Sequence, residues 1–448
     1  MEKKTSFRSF DSIRSKKKIA PIKHAAKPKK SSHKNWSWLI LLLVPVFVFL
    51  SLLCVSKVVD KVKVAQMFRS GRYLVLFQNN AELRPSGGFI GSFAVIEFRN
   101  FTIKKIDFNS NITKLDKAYV ADHSVPAPAP LGQIASGNWA MRDSNFAVSF
   151  PEAAQKVEWF YSQETGDSVD GVISINASVL RDFLKITGPM TLSDPAVTID
   201  SGNFFTELTN QIENEYFDST ENQQTNEPKE ILKTMMPEVL KRALSINKIK
   251  LYEFVYVSFK EKQIQFFSND PAIEQSIKDL GLGGEVKDFD KDYLQVNVAN
   301  IGGSKSSQNI NENLEYEVIN QNGLMMSDLT ITRKHIGTGV WPDGVNRSWV
   351  KVLVPKNTIL KSADLDGSDI TAKVESGEEA GKTYFASWVI TKPQTTSVLH
   401  LNYQLPISPE NYAVLLQKQS GNCGDLVRVL LNNNLLYNGV LNSDTVVK

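Results

Sequence analysis

The chain has 448 residues, of which 42% are hydrophobic and 10% aromatic, a composition that excludes a disordered protein and allows two ordinary globular domains. Its net charge of +3 is unevenly distributed. Residues 1–35 hold twelve Lys or Arg against two acidic residues, so the rest of the chain carries −7.

An apolar run at residues 36–59 follows the basic tail and carries no charge before Lys57. About 20 apolar residues are enough to cross a bilayer. The run is too long for the core of a cleavable signal peptide, and no small-residue cleavage site follows it. We therefore predict one uncleaved transmembrane helix at residues 36–59. The basic tail, residues 1–35, then lies in the cytoplasm, and the C-terminal region lies outside the plasma membrane.

This topology limits the partners and the redox chemistry. A basic tail beside a membrane helix serves as an orientation signal, so the membrane is an expected partner and nucleic acid is not. Cys54 would lie in the membrane and Cys423 outside it, so these two cysteines cannot pair. A long exported region without disulfides is typical of a bacterial surface protein.

The exported part begins with a predicted stalk, residues 60–72, and continues with a predicted α/β domain, residues 73–288. Three strand patterns open the domain, and the first of them ends at the turn dipeptide Asn79-Asn80. Helices are predicted from Pro151 to a stop at Gly166 and from a cap at Asn176 to Gly188. A strand, a helix and a further extended piece in this order favour an α/β unit.

Residues 289–448 have a different pattern. Short runs of alternating polar and apolar residues are separated by turn residues, and no helical periodicity appears between them. This pattern predicts a C-terminal antiparallel β-sandwich. The whole chain is therefore predicted to be α+β: an N-terminal transmembrane helix, an extracytoplasmic α/β domain and then the sandwich.

Several stretches resemble one known family. The first is "YLVLFQNNAELRPSGGFIGSFAVIEF", and "MRDSNFAVSFPEAAQKVEWFYSQETGDSVDGVISINASVLRDFLKITGPMTL" and "YLQVNVANIGGSKS" continue it. They are similar to the domain of unknown function 4012 family, bacterial single-pass surface proteins with no established activity. A weaker likeness links "DGVISINASVLRDFLKITGPMTL" to the LytR-CpsA-Psr wall-polymer ligases, from which the chain departs at Gly188-Pro189.

The stretch "AELRPSGGFIGSF" contains the first candidate binding residues. A phosphate loop would need a helix after its glycines, whereas these glycines lead into a strand pattern, so we interpret them as turn residues. Glu82 and Arg84 are two residues apart and face the same side of an extended segment. They form either a local ion pair beside the turn or a site in which Arg84 binds a phosphate or carboxylate and Glu82 orients it.

Two further groups are candidates for ligand binding. Arg142 and Asp143 precede a helix, in a loop of the kind that often holds binding groups, although Asp143 could equally cap a turn. Lys305 follows two glycines and could bind an anion, although a turn between the domains is the simpler role. An anionic ligand would become plausible if Arg84, Arg142 and Asp143 met at one cleft.

Two functions remain open at this stage. Neither a zinc-protease motif nor a nucleophile-elbow motif is present, and no metal site or cofactor is predicted. The leading hypothesis is a non-catalytic envelope protein that binds a cell-wall glycopolymer or a surface protein. The alternative is a glycan or phosphoglycan transferase that acts on a lipid pyrophosphate through Arg84, Arg142 and Asp143. Only this alternative would call for a divalent metal.

Overall fold

The computed structural model describes residues 58–133, 138–193, 196–213 and 231–448. The predicted basic tail, Cys54 and nearly all of the predicted membrane helix lie outside these ranges. Within them, every helix is too short or too polar to cross a bilayer. The described part of the chain is α+β, with mostly strands in its C-terminal part, and it lies in one compact unit.

A five-stranded sheet organises the N-terminal part. The strands before residue 270 are β1 (Ser70–Arg84), β2 (Gly87–Arg99), β3 (Thr102–Asn109), β4 (Gly171–Asn176), β5 (Met190–Ser193), β6 (Ala196–Ile199) and β7 (Ile264–Ser268). The order in the sheet is β3-β2-β1-β4-β7, and only the β1–β4 pair is parallel. β5 leaves this sheet and pairs with β6, so the predicted α/β unit is replaced by a mostly antiparallel sheet.

Helices cover both faces of this sheet. They are α1 (Val58–Ala65), α2 (Ile112–Val120), α3 (Ala129–Gly132), α4 (Phe150–Thr165), α5 (Ser178–Thr187), α6 (Phe204–Glu213), α7 (Ile231–Ser245), α8 (Lys248–Lys260) and α9 (Pro271–Asp279). Alternation along β1 sends Tyr73 and Val75 into a core with α1, α5, α7, α8 and α9. Leu74 and Leu76 point the other way, into a core with α2 and α4.

Some predicted element boundaries are confirmed and others are wrong. The helix predicted around Pro151 is α4, and Gly166 ends it in the left-handed conformation, as expected. Asn176 does not cap α5, because it is the last residue of β4 and the helix begins at Ser178. Residues 60–72, predicted as a stalk, contain most of α1 and the start of β1. Their apolar side chains Val64, Met67 and Phe68 are buried.

The first strand also differs from its prediction. β1 does not end at Asn79-Asn80 but continues to Arg84, and its register with β2 shifts between Asn79 and Leu83. The extra residues form an irregularity of the bulge type. The tight turn therefore lies at Pro85-Ser86, between β1 and β2.

Two facing sheets build the C-terminal part. Its strands are β8 (Asp292–Asn300), β9 (Ile310–Gln321), β10 (Leu324–His335), β11 (Asn346–Val354), β12 (Ile359–Leu365), β13 (Ser368–Asp369), β14 (Glu375–Glu379), β15 (Lys382–Thr391), β16 (Thr396–Leu405), β17 (Val414–Leu416), β18 (Leu426–Leu431), β19 (Asn434–Val440) and β20 (Thr445–Val447). One sheet has the order β13-β12-β16-β10-β9-β18-β19 and the other β14-β15-β11-β8-β17-β20. Side chains from both sheets share one hydrophobic core.

The pairing within these two sheets is not wholly antiparallel. β17 runs parallel to β8, and β18 runs parallel to β9, whereas the sequence predicted antiparallel pairs throughout. Both exceptions arise late in the chain, where a strand returns to pair with a much earlier one. Alternating polar and apolar residues indicate a strand and its buried face, but they do not identify its neighbour.

The turn between β1 and β2 is held inside the C-terminal part. Asn297 donates a side-chain hydrogen bond to the carbonyl of Pro85 at 2.8 Å, and Gln419 donates one to the carbonyl of Arg84 at 3.0 Å. The turn thus joins the two halves of the molecule. The glycines that follow the turn permit a different close approach, that of the start of β2 to β1. A Cβ on Gly88 would lie 2.3 Å from the backbone of Asn79 and Asn80.

We predict that Gly88→Ala lowers the free energy of unfolding by about 2–3 kcal/mol, because backbone atoms cannot move aside as a flexible side chain can. Gly132→Ala is the matched control, since its Cβ would meet no atom closer than 3.4 Å. Urea unfolding of both purified variants measures the difference. Equal unfolding midpoints for the two variants would contradict the close-approach argument.

Candidate functional site

Arg84 lies at the centre of a buried network. Its side chain is only 4% exposed, and its guanidinium uses all of its N–H groups within the protein. Nε and Nη2 donate to Asp143 Oδ1 at 3.2 and 2.9 Å, and Nη2 also donates to Glu82 Oε1 at 3.0 Å. Nη1 donates to the backbone carbonyls of Leu83, at 3.3 Å, and Asn300.

The other predicted candidates extend this network at both ends. Lys305 Nζ lies 2.7 Å from Glu82 Oε2, and Arg142 Nε lies 3.4 Å from Asp143 Oδ2. We call Lys305, Glu82, Arg84, Asp143 and Arg142 the ion-pair cluster. The structure therefore brings together all five residues that the sequence singled out, although they come from three separate segments of the chain.

The central charges of the ion-pair cluster, Glu82 and Arg84, are buried, and each is compensated by neighbours of opposite sign. Burial alone would raise the pKa of Glu82, but the charges of Arg84 and Lys305 outweigh burial and lower that pKa. Burial opposes the charge of Arg84, whereas Glu82 and Asp143 raise the pKa of its guanidinium. A ligand would have to displace one of these carboxylates to reach Arg84. The ligand-binding role of these residues therefore stays a prediction.

A second pair of carboxyl groups, which the sequence did not indicate, adjoins Arg142. Asp116 on α2 is 2% exposed, and its Oδ2 lies 3.6 Å from Arg142 Nε. Burial, reinforced by the charge of nearby Glu164, raises the pKa of Asp116 to about 8. Glu164 accepts a hydrogen bond from the backbone N–H of Met141 at 3.1 Å, and burial raises its pKa too. Within the described ranges, no group of carboxylate, His or Cys side chains could hold a metal ion.

A separate cleft of about 390 Å³ opens beside the ion-pair cluster, and we call it the cleft. Its walls come from β1, α6, the start of β9 and the loop that leads into β18. Most of its polar lining consists of amides and carboxylates. The lining includes Asn80, Phe205, Asn311, Glu312, Asn313, Asn422, Cys423, Asp425 and Leu426.

Two buried carboxyl groups belong to the cleft. Glu312 pairs with Arg333 through Oε2, while its Oε1 is buried and accepts no hydrogen bond from any described residue. Asp425 accepts hydrogen bonds from Asn422 Nδ2 at 2.9 and 3.0 Å. Burial, reinforced by the charge of Glu312, raises the pKa of Asp425 to about 7. Glu312 therefore brings to the lining of the cleft an acceptor atom that has no donor within the described part of the chain.

The thiol of Cys423 also faces the cleft and is exposed. Arg181 Nη1 lies 3.5 Å from its sulfur. The sequence did not indicate this thiol or the two carboxyl groups as binding groups. Glu312 lies in a strand pattern, and Cys423 and Asp425 lie in the loop that leads into β18, where such residues are ordinary. Only their positions in the fold bring them together.

We predict that Glu82→Ala lowers the free energy of unfolding by about 3–5 kcal/mol, because it leaves Arg84 and Lys305 buried without a shared carboxylate. Glu315→Ala is the control, since it breaks an ion pair with Arg428 in which both side chains are about half exposed. Thermal and urea unfolding should show little change for the control. An equal loss of stability in both variants would contradict the conclusion that Glu82 compensates two buried cations.

We also predict that Asp116 makes the free energy of unfolding depend on pH. Its pKa is raised in the folded protein, so its contribution to stability is full below about pH 4 and is lost as the pH rises through about 8. The free energy of unfolding should therefore fall between pH 5 and pH 8 more steeply in the natural protein than in Asp116→Asn. Urea midpoints measured across this range would test the prediction, and parallel curves for the two proteins would overturn it.

Known proteins of established activity offer little guidance. None of the curated proteins matches the chain. Among solved structures, a protein described as nutrient-binding from Legionella pneumophila aligns with 9% identity and a TM-score of 0.24, over 32% of this chain and 56% of its own. An M1 zinc metallopeptidase from Deinococcus radiodurans aligns with 14% identity and a TM-score of 0.15, over 27% of this chain and 32% of its own. The chain thus spans less than two thirds of either protein.

One family model does match. Residues 70–212 fit the family described as "Protein of unknown function (DUF4012)". The match begins at β1 and ends in α6. It includes every residue of the ion-pair cluster except Lys305. The likeness to the LytR-CpsA-Psr ligases is not shown by these matches. The resemblance to the DUF4012 family is thus confirmed over residues 70–212, the segment that supplies most of the five-stranded sheet.

Proposed function

We propose that this chain is a bacterial cell-envelope protein that binds a cell-wall glycopolymer in the cleft. One N-terminal membrane helix holds it in the plasma membrane, with the N-terminus in the cytoplasm and the C-terminal region outside. The basic tail and the apolar run at residues 36–59 support this topology. The chemistry of the cleft is the observation that carries the proposed binding function.

The lining of the cleft suits a ligand rich in hydroxyl groups. Amide side chains such as Asn311 and Asn313 both donate and accept hydrogen bonds, as sugar hydroxyls do. Glu312 Oε1 is a buried acceptor without a donor among the described residues, and a ligand hydroxyl that reached it would satisfy it. Leu426, which is 45% exposed, adds apolar surface against which the face of a sugar ring could pack.

The ion-pair cluster favours a binding protein over the transferase. A transferase that acts on a lipid pyrophosphate would need guanidinium N–H groups directed at its substrate. Arg84, Arg142 and Asp143 do converge, and this observation keeps the transferase as the second candidate. However, Arg84 donates all of its N–H groups to protein acceptors, and only Arg142 is exposed to any extent. The binding function requires no cofactor, whereas the transferase would call for a divalent metal.

We predict that wall-glycan fragments slow the alkylation of Cys423 by a maleimide several-fold, because the thiol faces the cleft. The experiment uses the full chain in detergent with Cys54→Ser, and fragments released from envelopes of the source cells. Dextran of similar size is the ligand control. Asn313→Trp, which would fill the cleft, should abolish the protection, whereas Asn438→Trp, outside the cleft, should retain it.

The outcomes separate the candidate functions. Protection by the glycan fragments that Asn313→Trp removes would support the proposal. Unchanged alkylation with every glycan fraction would contradict it and direct the search to a surface protein as the partner. Transfer of glycan from a lipid-pyrophosphate donor to an acceptor, lost in Arg142→Ala, would establish the transferase instead.

A further inference from the structure

Helix α8 has two apolar faces, of which only one is buried. Leu251, Val255 and Phe259 recur at a spacing of four residues and pack into the core on one face of the five-stranded sheet. On the opposite side, Ile249 is 69% exposed and Tyr256 52% exposed. The two residues are seven apart, or about two helical turns, so they form one stripe along the helix.

Two neighbouring helices also expose apolar side chains. Leu244, near the end of α7, and Ile186, near the end of α5, are each 40% exposed. Arg242 of α7 holds the end of α5 by donating to the carbonyl of Gly188 at 2.7 Å, so these helix ends lie side by side. We call the exposed faces of α7 and α8, together with the end of α5, the α7–α8 surface.

The α7–α8 surface is basic, although the chain after the N-terminal tail is acidic overall. Between residues 238 and 260, five cationic side chains stand against two carboxylates. Glu238 is already paired with Arg242 at 2.9 Å, whereas Glu253 is exposed on the outer side of α8, between the two residues of the stripe. The cationic residues are Lys241, Arg242, Lys248, Lys250 and Lys260. An apolar stripe bordered by lysines is typical of a helix that lies in a membrane interface.

The position of α8 in the fold points to the same partner. Its buried face shares a core with α1, and Phe266 joins the two, with ring centroids 6.2 Å from Phe68 and 5.2 Å from Phe259. α1 begins at Val58, at the end of the apolar run predicted to cross the bilayer. The helical rise places Val58 about 15 Å from Phe68 along the chain. The chain would therefore leave the bilayer close to the layer of helices that contains α8.

We infer that the α7–α8 surface rests on the anionic lipid headgroups of the membrane that anchors the chain. Ile249 and Tyr256 enter the interfacial layer, and the surrounding lysines contact the headgroups. This inference rests on the anchor in the proposed function, but it does not depend on the cleft. A second copy of the chain is a poorer occupant, because a symmetric pairing would bring two basic surfaces together.

The test measures the depth of a fluorescent label in vesicles that carry the full chain. In a Cys54→Ser, Cys423→Ser background, an environment-sensitive dye is attached at Tyr256→Cys or at the control Lys117→Cys. Lys117 is exposed on α2, a helix that covers the opposite face of the sheet. The vesicles contain phosphatidylcholine with or without phosphatidylglycerol, and spin-labelled lipids act as quenchers.

We expect the dye at position 256 to brighten several-fold and to be quenched by the lipid labels when phosphatidylglycerol is present. The dye at position 117 should show neither effect. Lys248→Glu combined with Lys250→Glu should reduce the signal at position 256, because it replaces attraction to the headgroups with repulsion.

Three other results would each overturn a different claim. A chain that floats with the vesicles while the dye at position 256 stays unquenched would overturn the inference and leave the anchor intact. A chain that does not float with the vesicles would overturn the anchor itself. Equal quenching at positions 117 and 256 would overturn the assignment of this particular surface.

Discussion

The contact between Arg84 and Asp143, in which two N–H groups donate to the same oxygen, Oδ1, is the interaction on which the rest of the structure depends. A buried guanidinium is tolerable only when carboxylates and carbonyls satisfy its N–H groups, because an uncompensated buried charge costs several kcal/mol. Glu82, Asp143 and the carbonyl of Asn300 supply those acceptors from three distant segments. The contact therefore forces the end of β1, the loop before α4 and the end of β8 into one place.

This constraint explains why the β1–β2 turn carries charges and glycines together. The turn must enter the C-terminal part, where Asn297 and Gln419 bind its carbonyls. Gly87 and Gly88 keep β2 close to β1 beside this turn, because side chains there would collide with Gln78 and with the backbone at Asn79. The charged residues add a directional requirement that apolar burial lacks, since this arrangement gives every N–H group of the Arg84 guanidinium an acceptor.

The sequence predicted much of this molecule where the information is local. Alternation identified the strands of the C-terminal part, and Gly166 and Gly188 marked helix ends that the structure contains. The wrong predictions concern features that depend on distant parts of the chain. Asn79-Asn80 has the chemistry of a turn, yet pairing with β2 resumes at Leu83 and extends the strand past it. Neighbouring strands decide such a boundary, and the sequence of one strand does not reveal its neighbours.

The candidate site shows the same difference between local features, which the sequence predicts, and contacts between distant segments, which it does not. Glu82 and Arg84 stood out because they lie two residues apart in an extended segment. Their partners Asp143 and Lys305 were singled out separately, but nothing in a single sequence could establish that the four side chains meet. Glu312 did not stand out, because a polar residue in an alternating strand is ordinary until its burial is known. Residue chemistry was thus predictable, whereas convergence and burial required the fold.

The continuity of β1 also links the two proposed surfaces mechanically. The strand starts at Ser70, just after α1, and Asn80 near its other end lines the cleft. Ten residues of extended chain span about 33 Å, and this length is fixed because β1 is the central strand of its sheet. A polymer bound in the cleft would thus be held at a set distance from the end of the proposed membrane helix. A flexible linker between the halves would lose that distance, and the buried ion-pair cluster prevents such flexibility by fastening the end of β1 to β8.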